Sequence, residues 1–273
     1  MSHMLEDAEE PLRLLFFGEG GSGKTTHLAH LADLGKVLII NAEAGVKATA
    51  LKKCGVNTKN IEVFPSPDET ISFESLEEEW KRVYDALNKN PKAYVGVVWD
   101  SLTEIYSVLL DQARADAYAK SQKGLKPRES EFFTDRSDYG VMAEQFRKLI
   151  RKYRDLPCHF GASALERREV DENDGEVKYS PSVTPALQKD LYLWFDIIGH
   201  TTTRIDEETK EEQFRASFRR VGKYAGKDRF KATPVELIEP TFTRVLKYVD
   251  GSLTLEKDPV IKAARANKQT KGK

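Results

Sequence analysis

Residues 12–25 read Leu-Arg-Leu-Leu-Phe-Phe-Gly-Glu-Gly-Gly-Ser-Gly-Lys-Thr, and this stretch decides the fold. Residues 12–17 form a short, mostly apolar run, which is typical of a central strand buried on both faces. Residues 18–25 fit the pattern G-x-x-x-x-G-K-[ST], and a helix is predicted over residues 24–34. A glycine-rich bend between a buried strand and a helix is the context that this pattern requires.

The glycine-rich bend predicts a P-loop for a nucleoside triphosphate, which we expect to be ATP with Mg²⁺. Glycines let successive backbone N–H groups point at phosphate oxygens, and the positive end of the helix dipole reinforces that arrangement. Lys24 is expected to reach the β- and γ-phosphates, and Thr25 to ligate Mg²⁺. The predicted nucleotide-binding residues are Gly18, Glu19, Gly20, Gly21, Ser22, Gly23, Lys24, Thr25 and Thr26.

Two acidic residues follow other predicted strands and are candidates for the same site. Asp100 ends the apolar run 94–99 and is predicted to hold Mg²⁺ beside Thr25, although it could instead cap the next helix. Glu43 follows the strand predicted at 37–40 and can orient an attacking water and accept its proton; the alternative is an exposed glutamate at a helix start. The carboxyl ends of parallel strands converge on one ligand crevice.

Strand and helix patterns alternate along most of the chain. They predict an α/β fold with a mostly parallel, doubly wound P-loop NTPase sheet, extended by a C-terminal antiparallel hairpin over 195–203 and 212–221. Strands are also predicted at 61–64 and 159–165, and helices at 73–87, 102–119 and around 142–153. Ser75 and Glu78 are placed as a capping box for the helix that begins at Phe73.

The totals favour one main domain in a reducing compartment. The chain has 273 residues, of which 40% are hydrophobic, and its formal charge is −1. We expect a flexible N-terminus with a tag remnant (1–11), an ATPase core (12–250) and a basic flexible tail (251–273). Two cysteines far apart argue against a disulfide framework or a zinc site, and the longest apolar runs are too short for a membrane helix. A cytoplasmic location without membrane contact is therefore expected.

The P-loop, the segment Asn41-Ala42-Glu43 and the strand end Val97-Val98-Trp99-Asp100-Ser101, in this order, resemble the ATPase core of the RecA-like family of recombinases, DnaB-type helicases and KaiC-type proteins. The segments 184–187 and 195–200 are most similar to RecA-like ATP-binding proteins of bacteriophages, some of which are single-strand annealing recombinases. The resemblance covers roughly residues 12–248. It implies that Glu43 is the catalytic glutamate and that the strand at 160–164 senses the γ-phosphate, although this chain has Ser163 and Ala164 where RecA has an Asn-Gln pair.

The segment Lys227-Asp228-Arg229 resembles the trans-acting fingers of that family, which reach the ATP of a neighbouring subunit. Lys227 and Arg229 are therefore candidate catalytic residues of a homo-oligomer, a ring or a filament. The alternative is a solvated basic turn.

The resemblance also implies single-stranded DNA as a partner, since the loops 123–136 and 166–184 occupy the positions of RecA's DNA-binding loops. The first loop holds cations and stackable rings, namely Lys123, Lys126, Arg128, Phe132, Phe133 and Arg136. The second loop holds four acids that would repel phosphate. Two further basic groups are the cluster Arg215, Arg219, Arg220 and Lys223 and the tail from Lys257 onward. Taken alone, each basic group is better explained as a solvated surface.

These observations indicate an oligomeric, ATP-hydrolysing protein that acts on single-stranded DNA in phage recombination, annealing or replication. A DNA helicase or an ATP-linked nuclease could use the same core. A nucleotide kinase would need an arginine-rich lid, for which Arg167 and Arg168 are the candidates. Glu19 stands where a partition-type ATPase has its signature lysine, which disfavours that class. A binding module without turnover stays open if Glu43 has another role.

Overall fold

The computed structural model describes residues 10–124, 127–170, 175–206, 210, 212–220 and 222–262. The strands in this part of the chain are β1 (Arg13–Gly18), β2 (Val37–Asn41), β3 (Ile61–Phe64), β4 (Gly96–Asp100), β5 (His159–Val170), β6 (Val177–Pro181), β7 (Ile197–Ile205), β8 (Glu212–Ser217), β9 (Lys227–Asp228) and β10 (Glu236–Ile238). The α-helices are α1 (Lys24–Ala29), α2 (Ala48–Lys53), α3 (Phe73–Lys89), α4 (Leu102–Ser121), α5 (Arg136–Arg154), α6 (Pro185–Trp194) and α7 (Phe242–Val249).

The strands form a mixed sheet in the order β10-β8-β7-β1-β5-β4-β2-β3. The neighbouring strands β7, β1, β5, β4, β2 and β3 are parallel to one another. The strand β8 runs antiparallel to both β7 and β10. The short strand β9 pairs with the first residues of β7, and β6 pairs with the second half of β5. The predicted α/β class, the mostly parallel sheet and the C-terminal antiparallel hairpin are therefore confirmed.

The central strands are covered on both faces, as their continuous apolar runs require. Leu15 and Phe17 of β1 pack into the core beneath α3, α4, α5 and α6, together with Trp99. Leu14 and Phe16, which point the other way, pack into the core beneath α1 and α7. These β1 side chains are fully buried, so one strand contributes to two cores and stays fixed beneath the loop that follows it.

Three local predictions need correction. The capping box of α3 uses Ser72 and Ser75 rather than Ser75 and Glu78: the Ser72 hydroxyl accepts from the Ser75 N–H, and the Ser75 side chain accepts from the Ser72 N–H. The predicted helix over 24–34 is α-helical only through Ala29 and continues as a 3-10 helix over His30–Asp33. The helices α2, α6 and α7 were not predicted.

The segment 166–184, expected as a loop or flexible hairpin, contains the antiparallel pair of β5 and β6, with Glu166 opposite Pro181 and Val170 opposite Val177. Its turn signal at Asp174-Gly175 lies partly outside the described residues.

The described residues exclude 1–9, which is most of the predicted N-terminus, and 263–273, which is the second half of the predicted basic tail. Within the described start of the basic tail, the Asp258 carboxylate is fully buried and accepts hydrogen bonds from Arg244 (2.6 Å) and from the Tyr248 hydroxyl (2.6 Å). These bonds lower the pKa of Asp258 against the opposing effect of its burial. Among the described helices, each is too short or too polar to cross a bilayer.

Candidate nucleotide-binding site

The candidate site lies at the carboxyl edge of the parallel strands. The glycine-rich loop follows β1, Glu43 follows β2, and Asp100 ends β4. The strand β5 lies between β1 and β4 and brings Ser163 to the same edge, where it is in register with Phe16 of β1. Because parallel strands end together, residues distant in sequence meet in one crevice.

The loop 18–23 has a backbone that only glycine adopts easily at two positions. Gly21 and Gly23 have φ angles of 80° and 78°, which lie in the left-handed region. A Cβ on Gly23 would also lie 2.7 Å from a ring carbon of Phe214 and 2.9 Å from Nε2 of His27. These glycines restrict the residues that the loop backbone can accept at both positions. The helix α1 begins directly after the loop, at Lys24.

The Lys24 side chain folds back over this loop. Its Nζ donates to the carbonyl oxygens of Gly18 (2.9 Å) and Glu19 (2.7 Å), and the residue is buried. Burial lowers the pKa of Lys24, while the nearby carboxylates of Glu43 and Asp100 act in the opposite direction. An ammonium whose acceptors are loop carbonyls can exchange them for phosphate oxygens without leaving the crevice.

The Asp100 carboxylate, at the end of β4, connects α1 with the neighbouring strand β5. The Thr25 hydroxyl donates to both of its oxygens, at 3.0 and 2.9 Å, and the Ser163 hydroxyl donates to Oδ1 at 2.5 Å. Asp100 is 1% exposed, and this burial raises its pKa in spite of the hydrogen bonds. The cap of α4 is Ser101, whose hydroxyl accepts from the Glu104 N–H, so the Asp100 side chain is not used for capping.

Glu43 lies beside Asp100 across the pair β2 and β4. Its N–H donates to the Asp100 carbonyl oxygen at 3.2 Å, and its Oε1 accepts a short hydrogen bond from the Ser101 hydroxyl. The residue is exposed, and α2 begins only at Ala48, so Glu43 is not a helix-start residue. A carboxylate fixed at one oxygen and open to solvent can bind and orient a water molecule.

These residues suit a nucleotide with Mg²⁺ rather than a protein-only metal centre. Mg²⁺ is commonly bound through one or two carboxylates together with substrate phosphates, and Thr25 and Asp100 supply a hydroxyl and a carboxylate already in contact. Among the described residues, no group of three or more His, Cys, Asp or Glu side chains could hold a metal ion by itself.

Comparison with known protein families also supports a nucleotide-binding site. A model of the AAA domain family matches residues 10–230, which is most of the chain. The chain belongs to the AAA domain family. This membership indicates a nucleotide-binding P-loop ATPase, in agreement with the glycine-rich loop, Lys24 and Asp100. No curated protein matches the chain significantly.

The structure of this AAA domain adds a polar cluster that sequence reasoning missed. A cavity of about 190 Å³ adjoins the P-loop at Glu19, Gly20 and Ser22. In its wall, His200 Nε2 lies 2.8 Å from Glu166 Oε2, which joins β7 to β5.

Burial lowers the pKa of His200, and the hydrogen bond to Glu166 opposes that shift. The sequence alone contains no signal for this pair, because the position of His200 depends on the strand register, in which it lies opposite Phe17 of β1, one residue before the P-loop begins.

The Ser22 side chain fixes the loop to β7. Its Oγ is 2.8 Å from the Glu19 carbonyl oxygen and 2.7 Å from Thr201 Oγ1. Gly20 has open space around it, and Thr26 lies partly exposed in the first turn of α1. The predicted P-loop residues are thus brought together in one structural unit.

The candidate finger residues lie at the opposite edge of the sheet of this AAA domain. Because β9 pairs with the first residues of β7, Arg229 is at the amino end of the parallel strands. Its Nη1 is 2.8 Å from Asp196 Oδ1, and its side chain is 55% exposed. Lys227 Nζ donates to the carbonyl oxygens of Tyr192 (2.5 Å) and Phe195 (2.6 Å). Both residues are therefore separated from their own P-loop by the length of the parallel strands.

The residues predicted to contact DNA divide into paired and unpaired cations. Arg128 forms two hydrogen bonds with Asp138, at 2.8 and 2.9 Å. Arg215 pairs with Glu236 at 2.8 Å, and Arg219 donates to the Thr233 carbonyl oxygen. Because of these contacts, three of the predicted cations are less available to bind phosphate.

The other members of those groups are exposed. Phe132 and Phe133 are 74% and 58% exposed, and Lys123, Arg136, Arg220 and Lys223 are also exposed. Lys126 and the tail residues Arg265, Lys268, Lys271 and Lys273 lie outside the described residues.

Proposed function

We propose that the chain binds ATP with Mg²⁺ and hydrolyses it. The observation that carries this proposal is the contact between the Thr25 hydroxyl and the buried Asp100 carboxylate, with Lys24 and Glu43 on either side of it. The crevice thus offers a cation for phosphate oxygens, two ligands for a divalent ion and a carboxylate open to water.

Each residue has a distinct task in this mechanism. The backbone N–H groups of the loop and the Lys24 ammonium hold the phosphates and neutralise charge on them. Thr25 and Asp100 would hold Mg²⁺, which when bound neutralises charge that develops on the phosphate oxygens. Glu43, kept in place by Ser101, orients a water towards the terminal phosphate and accepts its proton.

We further infer that the core is of the RecA-like type. The residue directly after Asp100 is Ser101, so β4 itself does not supply a second acid there. The second carboxylate is that of Glu43, which follows the neighbouring strand β2. This arrangement agrees with the sequence resemblance, in which Glu43 matches the catalytic glutamate of RecA-like proteins.

Action on single-stranded DNA as an oligomer belongs to the same proposal. The position and exposure of Arg229 favour a contact with a neighbouring subunit, since its own P-loop lies at the far edge of the sheet. The exposed rings of Phe132 and Phe133 and the exposed cations suit a flexible polyanion with stackable bases. Recombination, annealing and replication in a phage are the settings that the resemblance implies.

The decisive experiment measures ATP hydrolysis with and without single-stranded DNA, together with the mass in solution. Wild type should hydrolyse ATP, faster with DNA and as an oligomer, and Lys24→Ala should be inactive. A matched control is Lys59→Ala, which removes an exposed lysine far from the loop.

Equal activity of Lys24→Ala and the control would contradict the ATPase assignment, and DNA-independent hydrolysis by a monomer would contradict the RecA-like part. Strand-displacement and exonuclease assays on the same samples separate a helicase or nuclease from an annealing protein.

A further inference from the structure

A second cavity, of about 440 Å³, lies beside β6 and is separate from the P-loop. Residues of β5, β6 and α6 line it, together with Arg220 and the segment 223–226. Backbone hydrogen bonds from the Tyr179 N–H to the Lys223 carbonyl (2.8 Å) and from the Ala225 N–H to the Tyr179 carbonyl (3.1 Å) hold the segment against β6. We refer to this space as the tyrosine cavity.

Aromatic rings and a cation are already arranged in the tyrosine cavity. The rings of Tyr179 and Tyr224 are 5.1 Å apart between centroids. Lys223 Nζ lies 4.9 Å from the first centroid and 5.4 Å from the second. A third ring, Tyr192 of α6, completes the wall. Half-buried rings that line a cavity are suited to stack a planar ligand.

The charges of the tyrosine cavity favour an anion. Its described lining holds three cations, Lys178, Arg220 and Lys223, against one acid, Glu169. Lys178 is in an ion pair with Glu176, at 3.2 Å. Glu169 is already in contact with Arg167, at 3.4 Å. Arg220 and Lys223 are exposed, and neither forms an ion pair with a carboxylate in the described part of the chain. Their positive charge is therefore available to a phosphate.

We propose that the tyrosine cavity binds a segment of single-stranded nucleic acid, with a base against the tyrosine rings and a backbone phosphate at Arg220 and Lys223. The inference rests on the proposed action on single-stranded DNA and assigns it a place. Cations that follow a backbone and rings that stack bases are the two features of sequence-tolerant single-strand sites. Unpaired bases are required, because a duplex keeps its base faces covered.

The position of the tyrosine cavity connects it to the nucleotide site. Tyr224 lines both this cavity and the smaller one at the P-loop. Its ring stacks on His200 with 4.1 Å between centroids and an interplanar angle of 14°. His200 in turn bonds Glu166 beside Ser22 of the loop. A bound strand would thus be separated by the Tyr224 ring from the cavity that adjoins the P-loop. This contact provides a route for DNA to stimulate hydrolysis.

The test measures binding of a labelled oligothymidylate by fluorescence anisotropy over a series of salt concentrations. The double variant Arg220→Ala/Lys223→Ala should bind more weakly, and the magnitude of its slope of log affinity against log salt should fall by about 0.7, since the two cations share one phosphate and each phosphate contact contributes about 0.7 for single strands. Tyr179→Leu should weaken binding about fivefold or more at an unchanged slope. ATP hydrolysis without DNA should stay at the wild-type rate, while its stimulation by DNA is lost.

Three controls keep the result specific. Lys52→Ala/Lys59→Ala removes the same charge from a different surface cavity and should bind like wild type. The conservative variant Arg220→Lys/Lys223→Arg should retain binding, which separates charge from folding. An abasic strand should bind wild type and Tyr179→Leu equally, because it has no base to stack.

Three results would overturn the assignment in different ways. If wild type binds oligothymidylate but the Arg220/Lys223 double variant matches the Lys52/Lys59 control, or Tyr179→Leu binds normally, the tyrosine cavity is not the site, while the proposed function survives. If wild type hydrolyses ATP but does not bind the strand, both the site and the DNA part of the proposed function fail. Equal competition by polyglutamate with no effect of Tyr179→Leu would indicate an acidic protein segment instead.

Discussion

Replacement of Glu43 by glutamine separates nucleotide binding from hydrolysis. The amide oxygen of glutamine can still accept the hydrogen bond from Ser101, and the backbone bond to the Asp100 carbonyl is unchanged. The side chain is exposed, so we expect the free energy of unfolding to change by less than about 0.5 kcal/mol. ATP affinity should therefore stay close to that of wild type.

The rate of hydrolysis should fall strongly, because an amide cannot accept the proton of the attacking water. Loss of a positioned general base reduces a rate by about 10²- to 10⁴-fold, which corresponds to about 2.7 to 5.4 kcal/mol of activation free energy. Single-turnover hydrolysis of radiolabelled ATP measures this step apart from product release. Glu78→Gln, the same change at an exposed position of α3, is the matched control.

Glu43→Gln and Glu78→Gln that hydrolyse ATP at the same rate would refute the role of Glu43 as the base. A variant that loses ATP binding as well would refute the separation of the two functions.

Three further predictions concern the loop, the C-terminal segment and the far edge of the sheet. Gly23→Ala should abolish ATP binding, because its Cβ would lie 2.7 Å from the Phe214 ring and the backbone has a φ of 78°; normal calorimetric binding would contradict this. Asp258→Ala leaves a buried guanidinium without its carboxylate and should lower the free energy of unfolding by about 3 to 5 kcal/mol in urea denaturation, whereas a loss below about 1 kcal/mol would show that the pair is not important. Arg229→Ala mixed with Lys24→Ala should recover part of the ATPase activity if the arginine acts across subunits, and a mixture as inactive as its components argues against a trans role.

The P-loop and the central strands could be predicted because their signals are local. Residues 12–25 contain both the apolar run and the glycines, and no distant residue is needed to interpret them. The helix α3 has a clear apolar stripe and was also predicted, but its cap was placed three residues late because Ser72 and Ser75 are both capping residues. The helix α6 was missed although its buried residues Leu187, Leu191 and Trp194 have the i, i+4, i+7 spacing of a helix, because it spans only ten residues and the exposed Leu193 interrupts the apolar stripe.

The contacts within the site depend on strand order, which the sequence does not contain. Ser163 reaches Asp100 only because β5 lies between β1 and β4. In the same way, His200 and Glu166 meet across the end of β1, from strands β7 and β5 that are both paired with it. The sequence resemblance places Ser163 at a sensor position, which stays a prediction; in the structure its hydroxyl donates to the Asp100 carboxylate.

Pairing of charges is likewise invisible in one dimension. Arg128 and Lys223 look alike as members of basic segments, yet Arg128 is held by the buried Asp138 carboxylate, and Lys223 is exposed over two tyrosine rings. Counting cations in a segment therefore overestimates the charge that a phosphate can use.

The most direct test of the account is calorimetric titration of ATP, with and without Mg²⁺, into wild type, Lys24→Ala and Asp100→Asn. The arrangement of Lys24, Thr25 and Asp100 predicts that wild type binds ATP more tightly with Mg²⁺, that Lys24→Ala loses binding, and that Asp100→Asn loses most of the gain from Mg²⁺. Equal affinity of all three proteins, with no effect of Mg²⁺, would contradict the placement of the triphosphate in this loop.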